Sequence, residues 1–247
     1  MTLDDFLTIP DNSKTFSHGN IAYTFKYKDI NPAFLEENAT VRRLFEYLTK
    51  VIKSGAFPHK LFNSNYPRAS RMKIKGLSKT QKNFLQQYIL RNGYVQRFTS
   101  ETSDIPKLVD KVFQNVKNAG IKKKPNHEPV LNYLLSKDKK SVAIETPVWL
   151  ESRILTGHVD LIQVENSNGY EIKILDYKPE NESKFLYSIP QIALYAMMLK
   201  ERLKRVDNCE INCYIFDRKT VWKFKPNLLN ILGEKLERYN LEVPWTG

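Results

Sequence analysis

Apolar positions change their spacing about halfway along the chain. From Asn20 to Tyr27 they alternate with polar ones, as in a half-buried strand. From Asn31 the period turns helical. Pro32 can open a helix that carries Leu35, Val41, Leu44, Phe45, Leu48 and Val51 on one stripe. Residues 53–76 are broken by Gly55, Pro58, Pro67 and Gly76. Ser78 suits an N-cap for a helix over Thr80–Asn92, in which Phe84, Leu85, Tyr88 and Ile89 form a stripe and which Gly93 stops. Another helix is predicted over Ile105–Asn118, ending at Gly120. The run Lys122-Lys-Lys-Pro125 marks a soft boundary between a helix-rich, basic region 1–124 and a second region 125–247.

Beyond that boundary strands dominate. Glu128–Leu135 reads as a short helix, Ser141–Leu150 as a strand and Arg153–Val164 as a second strand. Asn166-Ser-Asn-Gly169 is a strong turn, and Tyr170–Lys178 follows as a third strand. Ser188–Val206 reads as a helix with Pro190 in its first turn, where a proline is tolerated. Glu210–Phe216 and Val221–Lys225 form a hairpin around Asp217-Arg-Lys, and Asn227–Tyr239 is a closing helix. The order helix, three strands, helix, two strands, helix predicts an α/β layer architecture, a mixed sheet with helices against it.

Composition narrows the class. Of 247 residues, 41% are hydrophobic and 27% charged, which is a globular balance. The net charge of +12 calls either for a generally Lys-rich surface or for a polyanionic partner. No run of 18 apolar residues is present, so no membrane partner is expected, and the acidic start Met1-Thr-Leu-Asp-Asp lacks the features of a secretory signal. Cys209 and Cys213 are too few for a four-cysteine metal site and read as buried thiols of a reducing, intracellular compartment. No Gly-x-x-x-x-Gly-Lys-Ser/Thr loop occurs, so no nucleotide-driven motor is expected.

The candidate chemistry lies in Gly157-His-Val-Asp160 and Leu175-Asp-Tyr-Lys178. Alternation along a strand puts Asp176 and Lys178 on one face, with Ile172 and Ile174 behind them. Pairing of this strand with its predecessor could bring Asp160 to the same place. Two carboxylates can hold Mg²⁺ or Mn²⁺, with the Tyr177 carbonyl as a further ligand, and a lysine beside them can hold or deprotonate an attacking water and offset phosphate charge. A plain ion-pair cluster is the rival reading, and carboxylates on a buried strand argue against it.

The series Gly-x-x-Asp160, then Asp176-x-Lys178, then Gln191-Ile-Ala-Leu-Tyr195 resembles the RecB-type branch of the PD-(D/E)XK nuclease superfamily over residues 125–240. The hairpin Cys213-Tyr-Ile-Phe and Val221-Trp-Lys-Phe adds to the resemblance. It implies a restriction-endonuclease-like core without an iron–sulfur cluster, Asp160 and Asp176 as metal ligands, Lys178 as the catalytic lysine, and Gln191 and Tyr195 shaping the site or touching DNA. It further implies His127, at the start of a helix, as an additional metal ligand, although a surface-loop histidine would look the same. Glu145 on the first strand would assist the metal or hold a salt bridge. His158 alternates onto the Asp160 face and would border the site, whereas His18 and His59 read as surface or structural. The implied activity is a metal-dependent deoxyribonuclease, an exonuclease on single strands or DNA ends, with delivery by a helicase or a repair or replication partner left open. Its rivals are an inactive DNA-binding module and a site-specific endonuclease. Lys60, Tyr66, Arg68, Arg71, Lys73, Lys75, Lys79 and Lys82 could form a groove along a phosphate backbone, or simply a solvated face.

Overall fold

The computed structural model describes residues 12–29, 32–53, 57–64, 67–166, 169–179, 185–204 and 208–246. Expectations placed on Asn31, Gly55, Tyr66, Ser167, Asn168 and Val206 lie outside the described residues.

The chain opens with a hairpin of β1 (Ser13–His18) and β2 (Ile21–Tyr27). Two helices follow, α1 (Pro32–Glu37) and α2 (Ala39–Ile52), where one was expected. The break is Asn38. Its side chain accepts hydrogen bonds from the Thr40 and Val41 amides at 2.9 and 3.0 Å and so caps α2 afresh. A single turn α3 (His59–Phe62) and a 3-10 turn (Ala69–Arg71) come before α4 (Lys79–Arg91), which starts from a Ser78–Gln81 capping box. Strand β3 (Val95–Thr99), which the apolar spacing did not reveal, precedes α5 (Asp104–Asn118) and α6 (His127–Lys137). Then come β4 (Ser141–Leu150), β5 (Leu155–Asn166), β6 (Tyr170–Tyr177), α7 (Phe185–Leu203), β7 (Cys209–Phe216), β8 (Thr220–Phe224) and α8 (Leu228–Arg238).

All the described strands join one mixed α/β sheet in the order β1-β2-β4-β5-β6-β7-β8-β3. Neighbours run antiparallel except β6 and β7, which are parallel. A parallel pair needs a crossover, and α7 supplies it. The region before residue 124 therefore contributes three strands, and they occupy both edges of the sheet. Apolar side chains form two cores. One gathers α2, α7, α8 and the first hairpin, and the other gathers α5 and α6 with Ile144, Leu161, Leu175 and Tyr177.

Helix α7 departs from expectation at its start. It begins at Phe185, not Ser188, because Phe185 and Leu186 are themselves buried. Pro190 thus lies inside the helix rather than in its first turn, where its missing N–H costs a backbone hydrogen bond.

Candidate active site

Strand β5 changes face partway along. A Cβ on Gly157 would overlap the Tyr195 ring (2.8 Å to Cδ1) and press on Met198 at 3.3 Å, so position 157 faces α7. Strict alternation would put Leu161 on that same face, yet it packs with Ile144 in the α5–α6 core. Ile162, paired with Ile174, packs on the other side. The alternation slips between 157 and 161, which includes Asp160. On β4 the pairs Ile144–Leu161 and Thr146–Val159 bracket Glu145, leaving it opposite Asp160. Glu145 has φ of +50°, a left-handed backbone that non-glycine residues seldom adopt inside a strand.

Strand β6 brings in the rest. Leu161 pairs with Leu175, so the next residues along the ladder, Asp160 and Asp176, stand across from one another. The Tyr177 amide donates to Asp160 Oδ2 at 2.9 Å. Lys178, one residue past the strand, places Nζ 2.5 Å from Asp176 Oδ2. That contact is an ion pair without hydrogen-bond alignment, since the same oxygen has no aligned donor. The Asp176 side chain is only 1% exposed and that of Lys178 is 25% exposed, so the site opens past the lysine. Helix α7 closes it from one face: Gln191 Nε2 donates to Asp176 Oδ1 at 3.2 Å and to the Tyr195 hydroxyl at 2.9 Å. Residues four apart on a helix share a side, which is why this pair meets one carboxylate together.

His127 is the first residue of α6. Its Nε2 lies 3.7 Å from Asp160 Oδ2, and its ring meets Tyr177 edge-on at 5.2 Å. Helix α6 is held there by a buried hydrogen bond from Lys26 on β2 to Asn132 at 2.7 Å. Asp160, Asp176, Lys178, Gln191, Tyr195, His127 and Glu145 thus converge at one place. Tyr177 takes part through its backbone amide, while its ring belongs to the α5–α6 core.

Charge at the site is unbalanced. Burial pushes the Glu145 carboxyl up to about 7, with Asp176 and Glu128 adding to it and Lys178 opposing. Burial and then Asp176 raise Asp160 well above the usual carboxylate range. Burial pulls the Lys178 ammonium down, but Asp176, Asp160 and Glu145 together outweigh it and leave its pKa raised. Burial and Lys178 lower His127, so its imidazole is neutral near pH 7. Burial, then Asp176 and Asp160, raise the Tyr195 hydroxyl. Burial and the charge of Asp176 hold Glu145 and Asp160 up, and the one lysine among them does not make up the difference.

Among the described residues, no three His, Cys, Asp or Glu side chains form a ready-made metal cage. The donors nevertheless suit a hard cation: carboxylate oxygens, a neutral imidazole at the rim and an Asp176 oxygen without an aligned donor.

Two expectations change. His158 does not border the carboxylates directly. It is buried in an aromatic cluster with Phe16, His18 and Phe62 and stacks on Tyr23 at 4.0 Å, because the slip in β5 turns it away from Asp160. His18 is structural and not on the surface: it is buried against Thr156 Oγ1 at 3.1 Å. Cys213 is buried as expected, while Cys209 is only half-buried.

The structure also adds neighbours that spacing did not reveal. Tyr23 on β2 feels the charges of Glu145, Asp160 and Arg68. Arg68 donates to the His18 carbonyl at 2.5 Å, and its backbone bridges to Thr156 on β5. Arg68 was expected only as part of a basic groove, and Tyr23 had no signal of its own, because packing around the first hairpin brings both here. In comparisons with known families, with curated proteins and with solved structures, no family model, no curated protein and no solved structure matches this chain.

Proposed function

We propose that this chain is a Mg²⁺- or Mn²⁺-dependent deoxyribonuclease with a restriction-endonuclease-like core of the RecB type, acting on single strands or DNA ends. The observation that carries the reading is the meeting of Asp160, Asp176 and Lys178 at one buried place, with Gln191 and Tyr195 on α7 closing it.

Asp160, Asp176 and Glu145 would hold the cation, with the Tyr177 carbonyl and His127 as further donors. Bound there, the ion would neutralise the carboxylates, acidify a water and offset charge on the leaving oxygen. Lys178 stays protonated beside Asp176. Its charge would hold a water and a phosphate oxygen. Gln191 fixes one Asp176 oxygen, which leaves the other facing the lysine and the opening. Tyr195 stays a neutral hydroxyl, anchored by Gln191 and seated over Gly157.

The test is a gel assay of end-labelled single- and double-stranded DNA with Mg²⁺, Mn²⁺ or EDTA, comparing wild type, Asp176→Asn and Lys178→Ala. Metal-dependent cleavage that both substitutions remove is the expected result, and the product ladder separates exonuclease from endonuclease action. Wild type that binds DNA and cuts none with either metal would favour an inactive binding module. Variants that cut as well as wild type would overturn the site.

A further inference from the structure

The basic charge of this protein is concentrated in one stretch. Residues 47–100 contain eleven Lys and Arg and not one Asp or Glu, which accounts for nearly all of the +12 on the whole chain. A random distribution of 27 acidic residues would not leave 54 consecutive positions empty, and local ion pairing within the stretch is impossible.

The fold lays this stretch across the molecule. At one end Arg68 bridges to β5, and its charge reaches Tyr23 at the rim of the carboxylate site. From there the chain makes one 3-10 turn (Ala69–Arg71) and an irregular segment, with Ile74 buried between exposed Lys73 and Lys75. It then enters α4, whose Lys82 lies 5.0 Å over the ring of Tyr187 on α7, the helix that carries Gln191 and Tyr195. Helix α4 has no acidic residue and presents Lys79 and Arg91 at its ends.

Aromatic rings stand open on the same helix. Phe84 is 56% exposed and lies parallel to Tyr88, with centroids 6.5 Å apart and 18° between planes. Tyr94, 38% exposed, follows at 6.0 Å from Tyr88 and hydrogen-bonds to it through the side chain. Lys235 of α8 sits 4.0 Å over the Tyr88 ring. Water solvates exposed Phe poorly, and neither core takes up Phe84.

We propose that the stretch from Arg71 through Tyr94 is a binding track for single-stranded nucleic acid. Bases stack on Phe84 and Tyr94, while Lys73, Lys75, Lys79 and Arg91 pair with the phosphates. The single strand follows from the rings, because a duplex covers its base faces with neighbouring pairs and leaves none to stack on a protein ring. The proposal deepens the nuclease reading by naming how its substrate is held, but binding alone can test it.

The experiment is fluorescence anisotropy of a labelled 20-nucleotide oligo(dT) and of a labelled 20-base-pair duplex, in EDTA, across a salt series. Phe84→Ala with Tyr94→Ala should weaken single-strand binding by roughly 5- to 100-fold for each ring lost and leave duplex binding nearly unchanged. Lys73→Gln, Lys75→Gln and Lys79→Gln together should flatten the log–log salt slope by about 2. These side chains are exposed, and a thermal melt equal to wild type verifies folding. The track is overturned if wild type does not bind the single strand. It is equally overturned if the ring variants bind it as tightly as wild type, or if they lose single strand and duplex alike. Wild type that binds through these residues but never cuts with Mn²⁺ would leave the track standing and remove the nuclease reading. Cutting with undisturbed binding in the variants would do the reverse.

Discussion

The carboxylates at Glu145, Asp160 and Asp176 and the acid-free stretch 47–100 each gather charge of one sign, in opposite ways. The carboxylates are buried, close together and of one sign, and burial with the Asp176 charge holds Glu145 and Asp160 above the usual carboxylate range. The basic residues are spread over an irregular segment and a helix surface, mostly exposed, where water solvates each one cheaply. Unpaired charge in water needs no explanation, but unpaired charge in a core persists only where something else repays it. On the proposed reading, the buried cluster carries the chemistry and the exposed stretch attracts and holds the substrate.

The largest expected effect breaks the buried side of that contrast. Asp176→Asn or Lys178→Ala should lower metal-dependent cleavage by roughly 100- to 1000-fold or more, read as initial rates on end-labelled DNA. Next comes Gly157→Ala. Its methyl group would collide with Tyr195, costing about 1–3 kcal/mol in chemical denaturation and disturbing the Gln191–Tyr195 pair.

Two pH measurements then set the ends of β5 against each other. Burial, with Arg68 and Arg71, lowers His18 from 6.5 to about 4. In the unfolded chain it takes a proton below pH 6.5, while in the fold it resists until about 4. Stability present above 6.5 is therefore lost as pH falls, by about 2 kcal/mol at pH 4.5. His18→Phe should flatten that loss in denaturant titrations. Glu145 runs the other way. Its folded value of about 7 lies above the unfolded 4.5, so its contribution is fully present below pH 4.5 and is lost as pH rises through 7. Glu145→Gln should thus stabilise the metal-free protein at pH 8 relative to wild type, while lowering cleavage. A variant less stable than wild type at pH 8 would show that the carboxylate is compensated after all.

Much of the site was legible because it lies on regular elements. Period-two spacing places Asp176 and Lys178 together, and period-four spacing joins Gln191 to Tyr195, with no tertiary knowledge needed. Glu145 was different. Its position opposite Asp160 depends on a left-handed residue inside β4 and a slip in β5, and neither has a residue-type signature. The slip also misdirected His158, for which unbroken alternation was assumed. Strand β3 escaped because Gln96 and Arg97 dilute its pattern and an edge strand buries little. Asn38 was hidden inside a continuous helical period, although its type is a favoured cap. Tyr23 and Arg68 reach the site only through tertiary packing of the first hairpin.

The edge position of β3 has a consequence for how the protein is made. Val95 pairs with Phe224, so 129 residues separate two strands that must meet. At a synthesis rate of about 5–20 residues per second, the ribosome releases β3 roughly 6 to 26 seconds before its only described neighbour in the sheet exists. During that interval the acid-free stretch and its open rings are already outside the tunnel, while the carboxylate strands are still being synthesised. The nascent chain then exposes this cationic stretch to any nearby polyanion before it has a completed site.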